Sequence, residues 1–412
     1  MSKPIIKVVD SIMGSGKSSA AINMINSDTE NNYIYITPYL PEVERIKKFC
    51  SVRKFYDPKV FSKDGETFYK LDSFHNLLKD NKNIVTTHVL FQMATEETRE
   101  LIYSGNYVLI LDEVIEVVKE LHIKPHDINM LFENQWMYEK EGVIYWNTDK
   151  EQKEGVYDGE FKLIRRYALN HNLVLHNGKM LLWTFPAEIF TQFKEVFVLT
   201  YMFEAQFQKY YYDINNIEYQ KYIALKVDGI YQIIESVDHN DKEIKNFFKE
   251  KIHIYQGEEL NKIGDKEHSL SKKWYQEKKH MHGKLKNNVL NFFTNKLKSK
   301  SIFNMWTTFA DYESKLKGKG YAKGFVSCTS RATNEYKDRI ALAYTINRFL
   351  HPVIANYFMS KGVKVNDDLY ALQELLQWIW RSAIREGNEI NLYIPSKRMR
   401  DLLIKWLENE IK

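Results

Sequence analysis

The sequence predicts an α/β protein with parallel sheets in two successive halves, the first interrupted by an insertion that contains a β-hairpin. Three observations carry this. Short apolar runs rich in β-branched residues (Ile5–Val9, Tyr33–Thr37, Asn83–Thr87, Tyr107–Leu111) alternate with helical or polar stretches, as buried parallel strands joined by crossover helices do. A second α/β pattern begins near residue 302. A chain of 412 residues exceeds one typical core, so two domains are expected.

The elements follow in order. Ile5–Val9 reads as a buried strand, followed by a Gly/Ser turn and a helical pattern through Ile25. Leu40–Phe49 and Thr95–Tyr103 are polar or helical stretches between the next strands. Residues 121–185 break the rhythm. There Asn177-Gly178 lies between Leu173–His176 and Lys179–Phe185, a strong hairpin signal because the tight turn needs positive φ at both central residues. The parallel pattern resumes at Val196–Thr200. Glu259–His282 is polar, Lys-rich and aperiodic, which predicts a flexible loop. Beyond it, Ile302–Phe309, Gly324–Cys328 and Ile390–Ile394 read as strands and Ala371–Arg385 as a helix, with no short internal repeat.

Composition sets the class. Hydrophobic residues at 44% and charged residues at 27% describe a globular chain. The net charge of +5 and pI near 8.7 give a mild bias toward polyanions. Residues 271–300 concentrate it, with nine Lys against the single acid Glu277 and with Trp274 and Tyr275 among them. A Lys run is usually a solvated face; interleaved aromatics tilt it toward nucleic acid, with Lys272 and Lys273 as candidate contacts. Two cysteines supply no disulfide framework and fit a reducing, cytoplasmic setting. No apolar run reaches about 18 residues, so no membrane span is expected, and the start lacks the apolar core of a signal peptide.

Three motifs carry chemistry. Ser11-Ile12-Met13-Gly14-Ser15-Gly16-Lys17-Ser18 follows a strand and opens a helix, the setting of a phosphate-binding loop. Its glycines let backbone N–H groups approach phosphate oxygens, and the helix N-terminus adds partial positive charge. Gly14, Ser15, Gly16, Lys17, Ser18 and Ser19 are the candidate nucleotide contacts, with Lys17 on the β- and γ-phosphates and Ser18 on Mg²⁺. The competing account, a Gly-rich turn that binds nothing, leaves the Lys-Ser pair unexplained. Val108-Leu109-Ile110-Leu111 then ends in Asp112-Glu113, two acids at the carboxyl end of a buried strand where ligands bind. Asp112 is a candidate for Mg²⁺ and Glu113 for the general base; alone, such a pair could merely cap a helix. Finally, Gln377, Arg381 and Arg385 recur every four residues, which places them on one helical face. Such arginines either stabilise charge on a transferring phosphoryl group or decorate a surface.

The chain resembles superfamily 2 helicases of the DEAD/DEAH-box type. Gly14-Ser15-Gly16-Lys17-Ser18 matches their first motif, and Asp112-Glu113-Val114-Ile115 stands in the place of their Asp-Glu-x-x box. Thr37-Pro38, Thr86-Thr87-His88 and Leu199-Thr200-Tyr201 sit where that family contacts the nucleic-acid backbone and couples hydrolysis to strand handling. The runs Arg331 to Arg339 and Gln377 to Arg385 look like the fifth and sixth motifs, and together they most resemble helicase-like proteins of Gram-positive phages and prophages. The box departs from DEAD or DEAH, Tyr201 replaces an Ala, the last two arginines are four apart where the family usually has three, and Ser11 replaces the usual first Gly, a position helicases often relax.

The resemblance implies two RecA-like P-loop NTPase lobes, over 1–210 (insertion about 121–185) and 211–412 (Lys-rich segment about 259–300), with ATP and Mg²⁺ between them. It implies an ATP-dependent helicase or translocase, on DNA rather than RNA, working in the bacterial host cytoplasm with phage replication proteins as possible partners. Thr37, Thr87, His88, Thr200, Arg331, Thr333 and Asn334 become candidate nucleic-acid contacts, and Lys17, Asp112, Glu113, Gln377, Arg381 and Arg385 the catalytic set. Two alternatives stand beside it. One is a nucleotide-gated binding ATPase that unwinds nothing, such as a replication-initiation or anti-defence factor. The other is a terminase-like packaging ATPase, which would need a clustered acidic nuclease site that Asp311, Asp338, Asp367 and Asp368 do not form.

Overall fold

Seven of the eight strands of the first sheet run parallel, and the central ones have the largely apolar sequences that burial on both faces requires. Across the sheet the order is Ile230–Glu235, Tyr219–Val227, Ile5–Asp10, Glu195–Thr200, Tyr107–Asp112, Asn32–Thr37, Asn83–Thr87 and Phe55–Tyr56. Only the edge strand Ile230–Glu235 is antiparallel to its neighbour. Helices Lys17–Ser27, Leu40–Phe49 and Glu96–Ser104 form where the sequence predicts them, within a residue or two at each end. The computed structural model describes residues 4–63, 66–236, 241–328 and 335–411.

The chain divides into two units, one of residues 1–11, 15–237 and 351–365 and the other of 12–14, 238–350 and 366–412. The first keeps the helix Pro352–Ser360, although the chain before residue 351 and after residue 365 belongs to the second. Phe358 is fully buried there, stacked on Phe207 with ring centroids 5.8 Å apart, and His351 lies 3.6 Å from Glu120. The expected insertion is a five-stranded antiparallel sheet in the order Val118–Leu121, Met180–Thr184, Leu173–His176, Val143–Trp146, Met137–Lys140. Its hairpin turns at Asn177 (φ 52°) and Gly178 (φ 64°), the positive angles that such a turn requires.

The second unit holds a four-stranded parallel sheet in the order Ile252–Ile254, Ile390–Tyr393, Ala341–Tyr344, Asn304–Thr307. Three expectations change here. Glu259–His282 is not a flexible loop but a series of short helical turns that bury Leu260, Ile263, Leu270 and Tyr275. It lacks helical periodicity because distant partners fix it. Asn288 and Tyr393 donate to Leu260 O, at 3.1 and 2.6 Å, and Asn347 donates to the carbonyls of Glu267 and Ser269. Gly264 packs so closely on the Pro395 carbonyl that a Cβ would overlap it.

Gly324–Cys328 supplies only a single bridge, Phe325 to Trp306, rather than a strand. The helix expected over Ala371–Arg385 spans Asp367–Ile379. Ser382 ends it by turning its hydroxyl back to Ile379 O at 2.7 Å, while Ala383 N–H pairs with Arg339 O at 2.9 Å. Gln377, Arg381 and Arg385 therefore do not share one helical face. Among the described residues, no helix is long and apolar enough to cross a membrane.

Candidate nucleotide site in the first unit

The Gly-rich loop leaves the sheet where the first strand ends. Ser11 N–H donates to Thr200 O at 3.0 Å, and Ser11 Oγ accepts from Ala224 N–H at 2.8 Å. That second bond gives the departure from glycine at position 11 a physical reason, since the hydroxyl ties the loop to the neighbouring strand Tyr219–Val227. Gly14 and Gly16 have φ of 84° and 87°, values that disfavour any side chain. A Cβ at Gly16 would also overlap the ring of Tyr231, whose carbonyl accepts from Asn23 Nδ2 at 3.0 Å. The hairpin Tyr219–Glu235 thus buttresses the loop from one side.

Lys17 Nζ reaches back to Ser11 O at 2.5 Å, so the ammonium lies against the loop it follows. Ser18 Oγ sits 3.4 and 3.3 Å from Asp112 Oδ1 and Oδ2, and Tyr35 OH donates to Oδ2 at 3.0 Å. Protein surrounds the Asp112 carboxylate although the residue keeps some accessible surface. Burial first, and the adjacent Glu113 charge second, raise its pKa to about 6. Glu113 has φ 62°, a left-handed conformation costing about 1–3 kcal/mol in a non-glycine residue. Its N–H is held by Leu199 O at 2.9 Å.

ATP and Mg²⁺ fit this donor set. Ser15 Oγ is buried without a hydrogen-bond partner among the described residues, an unsatisfied donor in the middle of the loop. Ser18 and Asp112 offer one hydroxyl and one carboxylate, hard oxygens of the kind that bind a magnesium ion still carrying water. Among the described residues there is no cluster of three or more His, Cys, Asp or Glu side chains suited to a metal.

The raised Asp112 has a pH consequence. Its folded pKa lies above the ordinary carboxylate range, so the folded chain binds this proton more readily than the unfolded one. The group's contribution to stability therefore falls as pH rises from the ordinary range to about 6; if Asp112 holds a cation, affinity for that cation should rise over the same window. Mg²⁺ titrations of nucleotide binding at pH 5.5 and 7.5 should show clearly weaker Mg²⁺ dependence at the lower pH; equal dependence would remove Asp112 as the cation ligand.

Several residues that serve the site lie outside the sequence motifs. Asp10 is half-buried, and its carboxylate accepts from the backbone N–H groups of Met202 and Phe203 at 2.7 and 2.9 Å. Burial pushes its pKa up, against those two bonds. It staples the turn after Thr200-Tyr201 to the strand that feeds the loop. Gln208 Oε1 accepts from Ile115 N–H at 3.0 Å and steadies the segment after Glu113. An acid closing an apolar strand just before a Gly-rich loop is the available signal for Asp10; Tyr231 and Gln208 have none.

The structure brings Lys17, Ser18, Asp112 and Glu113 into one corner of the first unit. Ser19 lies in the first turn of the helix that follows. Thr37 is fully buried, with a hydroxyl lacking a partner among the described residues. Thr87 and His88 follow at the end of the next strand, with His88 Nε2 3.0 Å from Asp112 O. Thr200 is buried at its strand's end. In the second unit, Lys272 and Lys273 are exposed on the short helix Lys272–Glu277, and Lys273 lies 3.7 Å from Glu277. Tyr275 there is fully buried, so it is no stacking surface. Arg331, Thr333 and Asn334 lie outside the described residues.

Arg381 is 5% exposed and donates from Nη1 to Ser327 O at 3.1 Å, whereas Arg385 is exposed on the turn Ala383–Glu386. Arg381→Ala should lower unfolding stability by about 1–3 kcal/mol, because it withdraws the charged donor of a buried side chain from a part-buried carbonyl. Arg385→Ala should stay within about 0.5 kcal/mol. Urea unfolding of both variants checks this, and equal stabilities would contradict it.

Comparison with known proteins adds the following. Residues 246–407 match a family model described as the YonV C-terminal Rossmann-like domain, and residues 118–183 one described as the YonV middle domain. The chain is 54% identical over 407 residues to the SPbeta prophage-derived uncharacterized protein YonV of Bacillus subtilis (strain 168), covering 98% of this chain and 99% of that one. Among solved structures, one titled XPD_Helicase aligns with a TM-score of 0.48 at 11% identity, over 98% of this chain and 94% of that one. The structure of S. tokodaii Xpd4 gives a TM-score of 0.47, also at 11% identity, over 99% and 94%. Likenesses this loose assign no activity.

Proposed function

The chain belongs to the YonV family, and from that premise we propose that it hydrolyses ATP with Mg²⁺ to drive work on nucleic acid, DNA before RNA. One observation carries the proposal: a Gly-rich loop with an unsatisfied buried Ser15 hydroxyl opens the helix that sets Ser18 against Asp112 at 3.3–3.4 Å. The ends of Ile5–Asp10 and Tyr107–Asp112, which flank Glu195–Thr200 in one parallel sheet, meet a helix N-terminus, an arrangement suited to phosphate and cation together.

The roles follow from residue chemistry. Backbone N–H groups from Gly14 to Ser19 receive phosphate oxygens, and Lys17 supplies mobile positive charge to the terminal phosphates. Ser18 and Asp112 hold Mg²⁺, which when bound neutralises charge on the phosphate oxygens. Glu113 accepts a proton from the attacking water. Arg381 and Arg385 are the proposed sources of further positive charge for the transferring group, with Gln377 beside them in sequence. Thr37, Thr87, His88 and Thr200, at or just after the carboxyl ends of parallel strands, are the proposed contacts to a nucleic-acid backbone, as are Arg331, Thr333 and Asn334.

The test is ATP turnover by the full chain with and without single-stranded DNA, duplex DNA, forked DNA and RNA. Turnover stimulated by a strand supports a motor, and unwinding of the fork supports a helicase. Stimulated turnover without unwinding would leave a nucleotide-gated binding ATPase. Absence of any Mg²⁺-dependent turnover would end the proposal.

A further inference from the structure

We propose that the second unit carries a docking face for duplex nucleic acid, formed by Lys278, Lys279, Lys284, Lys315, Lys317 and Lys319. It rests on the reading of this chain as a nucleic-acid protein, and it places duplex and single strand on different surfaces. Residues 272–323 contain thirteen Lys against three acids, Glu277, Asp311 and Glu313. The fold brings two lysine-bearing segments of this stretch together. The helix His282–Asn291 packs against the turn Glu313–Leu316. The ring of His282 lies 5.4 Å from that of Tyr312, and after burial the positive charges of Lys315, Lys279 and His280 help to lower its pKa. Tyr321 OH, beyond the second segment, lies 3.4 Å from Lys286 O and 2.5 Å from Leu316 O.

Two features define what this face can bind. Few of its charges are neutralised. Lys273 pairs with Glu277 at 3.7 Å and Lys296 with Glu259 at 3.6 Å. The six named lysines are exposed and have no acidic partner among the described residues. A group of like charges repels itself, and a polyanion relieves that repulsion. The second feature is that the aromatic rings point inward. Tyr275, Tyr312 and Tyr321 are buried, and Trp274 is half-buried against Tyr275 and His282, 5.1 and 6.1 Å away between ring centroids.

Without an exposed ring the face has nothing on which to stack an unpaired base, which is how non-specific single-strand sites gain affinity. Lysine ammoniums read phosphate charge and carry no base information. A duplex hides its bases and offers a charge every ~1.7 Å of axis, the denser phosphate array. The chemistry therefore favours duplex over single strand.

The test uses the full chain and two variants, one with Lys279→Glu, Lys284→Glu, Lys315→Glu and Lys317→Glu, and one with Gln at the same four positions. Binding to a blunt DNA duplex, an RNA duplex and a single strand of equal length is followed by fluorescence anisotropy from low to moderate salt. Duplex affinity should fall in both variants, more with Glu. The slope of log affinity on log salt should flatten by up to ~0.9 for each phosphate that the variant no longer neutralises. Single-strand affinity and strand-stimulated ATP turnover should stay at wild-type values. Unchanged duplex affinity and slope would overturn the proposal, as would equal losses on duplex and single strand, or tighter binding to anionic phospholipid vesicles than to either duplex. If the wild-type chain proves inactive toward ATP while the duplex effect persists, the motor proposal fails and the docking face stands.

Discussion

Replacing Glu113 by Gln should leave ATP binding in place and slow its hydrolysis by about 10²–10⁴-fold, the range of a positioned general base. The substitution keeps the side chain's shape and removes its ability to take a proton. Glu113 is a non-glycine residue at φ 62° at the carboxyl end of the central strand Tyr107–Asp112, with its N–H fixed by Leu199 O at 2.9 Å. Strain of about 1–3 kcal/mol at such a position persists only where the surroundings impose it, and it clusters at working sites. Glu113→Gly separates the two costs. It relieves the strain, so thermal stability should hold or rise, yet turnover should fall as it does in the Gln variant. Nucleotide binding and single-turnover hydrolysis are the measurements. Collapsed affinity with normal hydrolysis per bound ATP would make Glu113 a structural residue.

The parts legible in the sequence are those whose cause is local. A strand buried on both faces must be largely apolar, so Asn32–Thr37 and Tyr107–Asp112 stand out, as does the run of Ile and Val in Ile5–Asp10. Positive φ at Gly14, Gly16 and Gly178 is written directly as glycine. Illegible features depend on partners far along the chain. Tyr231 matters because a hairpin more than two hundred residues away meets Gly16, and Asp10 because it caps two N–H groups beyond Thr200. The short turns of 259–282 are held by Asn288, Asn347 and Tyr393, so their own sequence has no period to read. The end of the helix Asp367–Ile379 is hidden because Ser382 looks like any helical serine until its hydroxyl bonds Ile379 O. Nothing local in Pro352–Ser360 says that Phe358 joins the core of the first unit.

Lys17→Ala should abolish measurable ATP turnover, with a loss on the order of 10²–10³-fold or more, corresponding to the ~3 kcal/mol that a single preorganised electrostatic stabiliser supplies. Lys17 is the first residue of the helix Lys17–Ser27, which begins at the left-handed Gly16, and its ammonium folds back to Ser11 O at 2.5 Å. That placement keeps a cation over the loop whose N–H groups are the proposed phosphate contacts. Loss of the side chain removes charge where negative charge builds on the transferring group, and alanine is a good helix former, so the helix should persist. Lys17→Arg separates charge from shape. A broad guanidinium fork replaces a compact ammonium and should not restore turnover, because the two cations hold phosphate differently. Turnover, nucleotide affinity and melting temperature should be measured on both variants. Melting temperatures close to wild type with turnover lost in both would place Lys17 in the phosphate contacts. Wild-type turnover in Lys17→Ala would show that the loop does not hold the reacting phosphates, and the assignment of Ser18, Asp112 and Glu113 would fall with it.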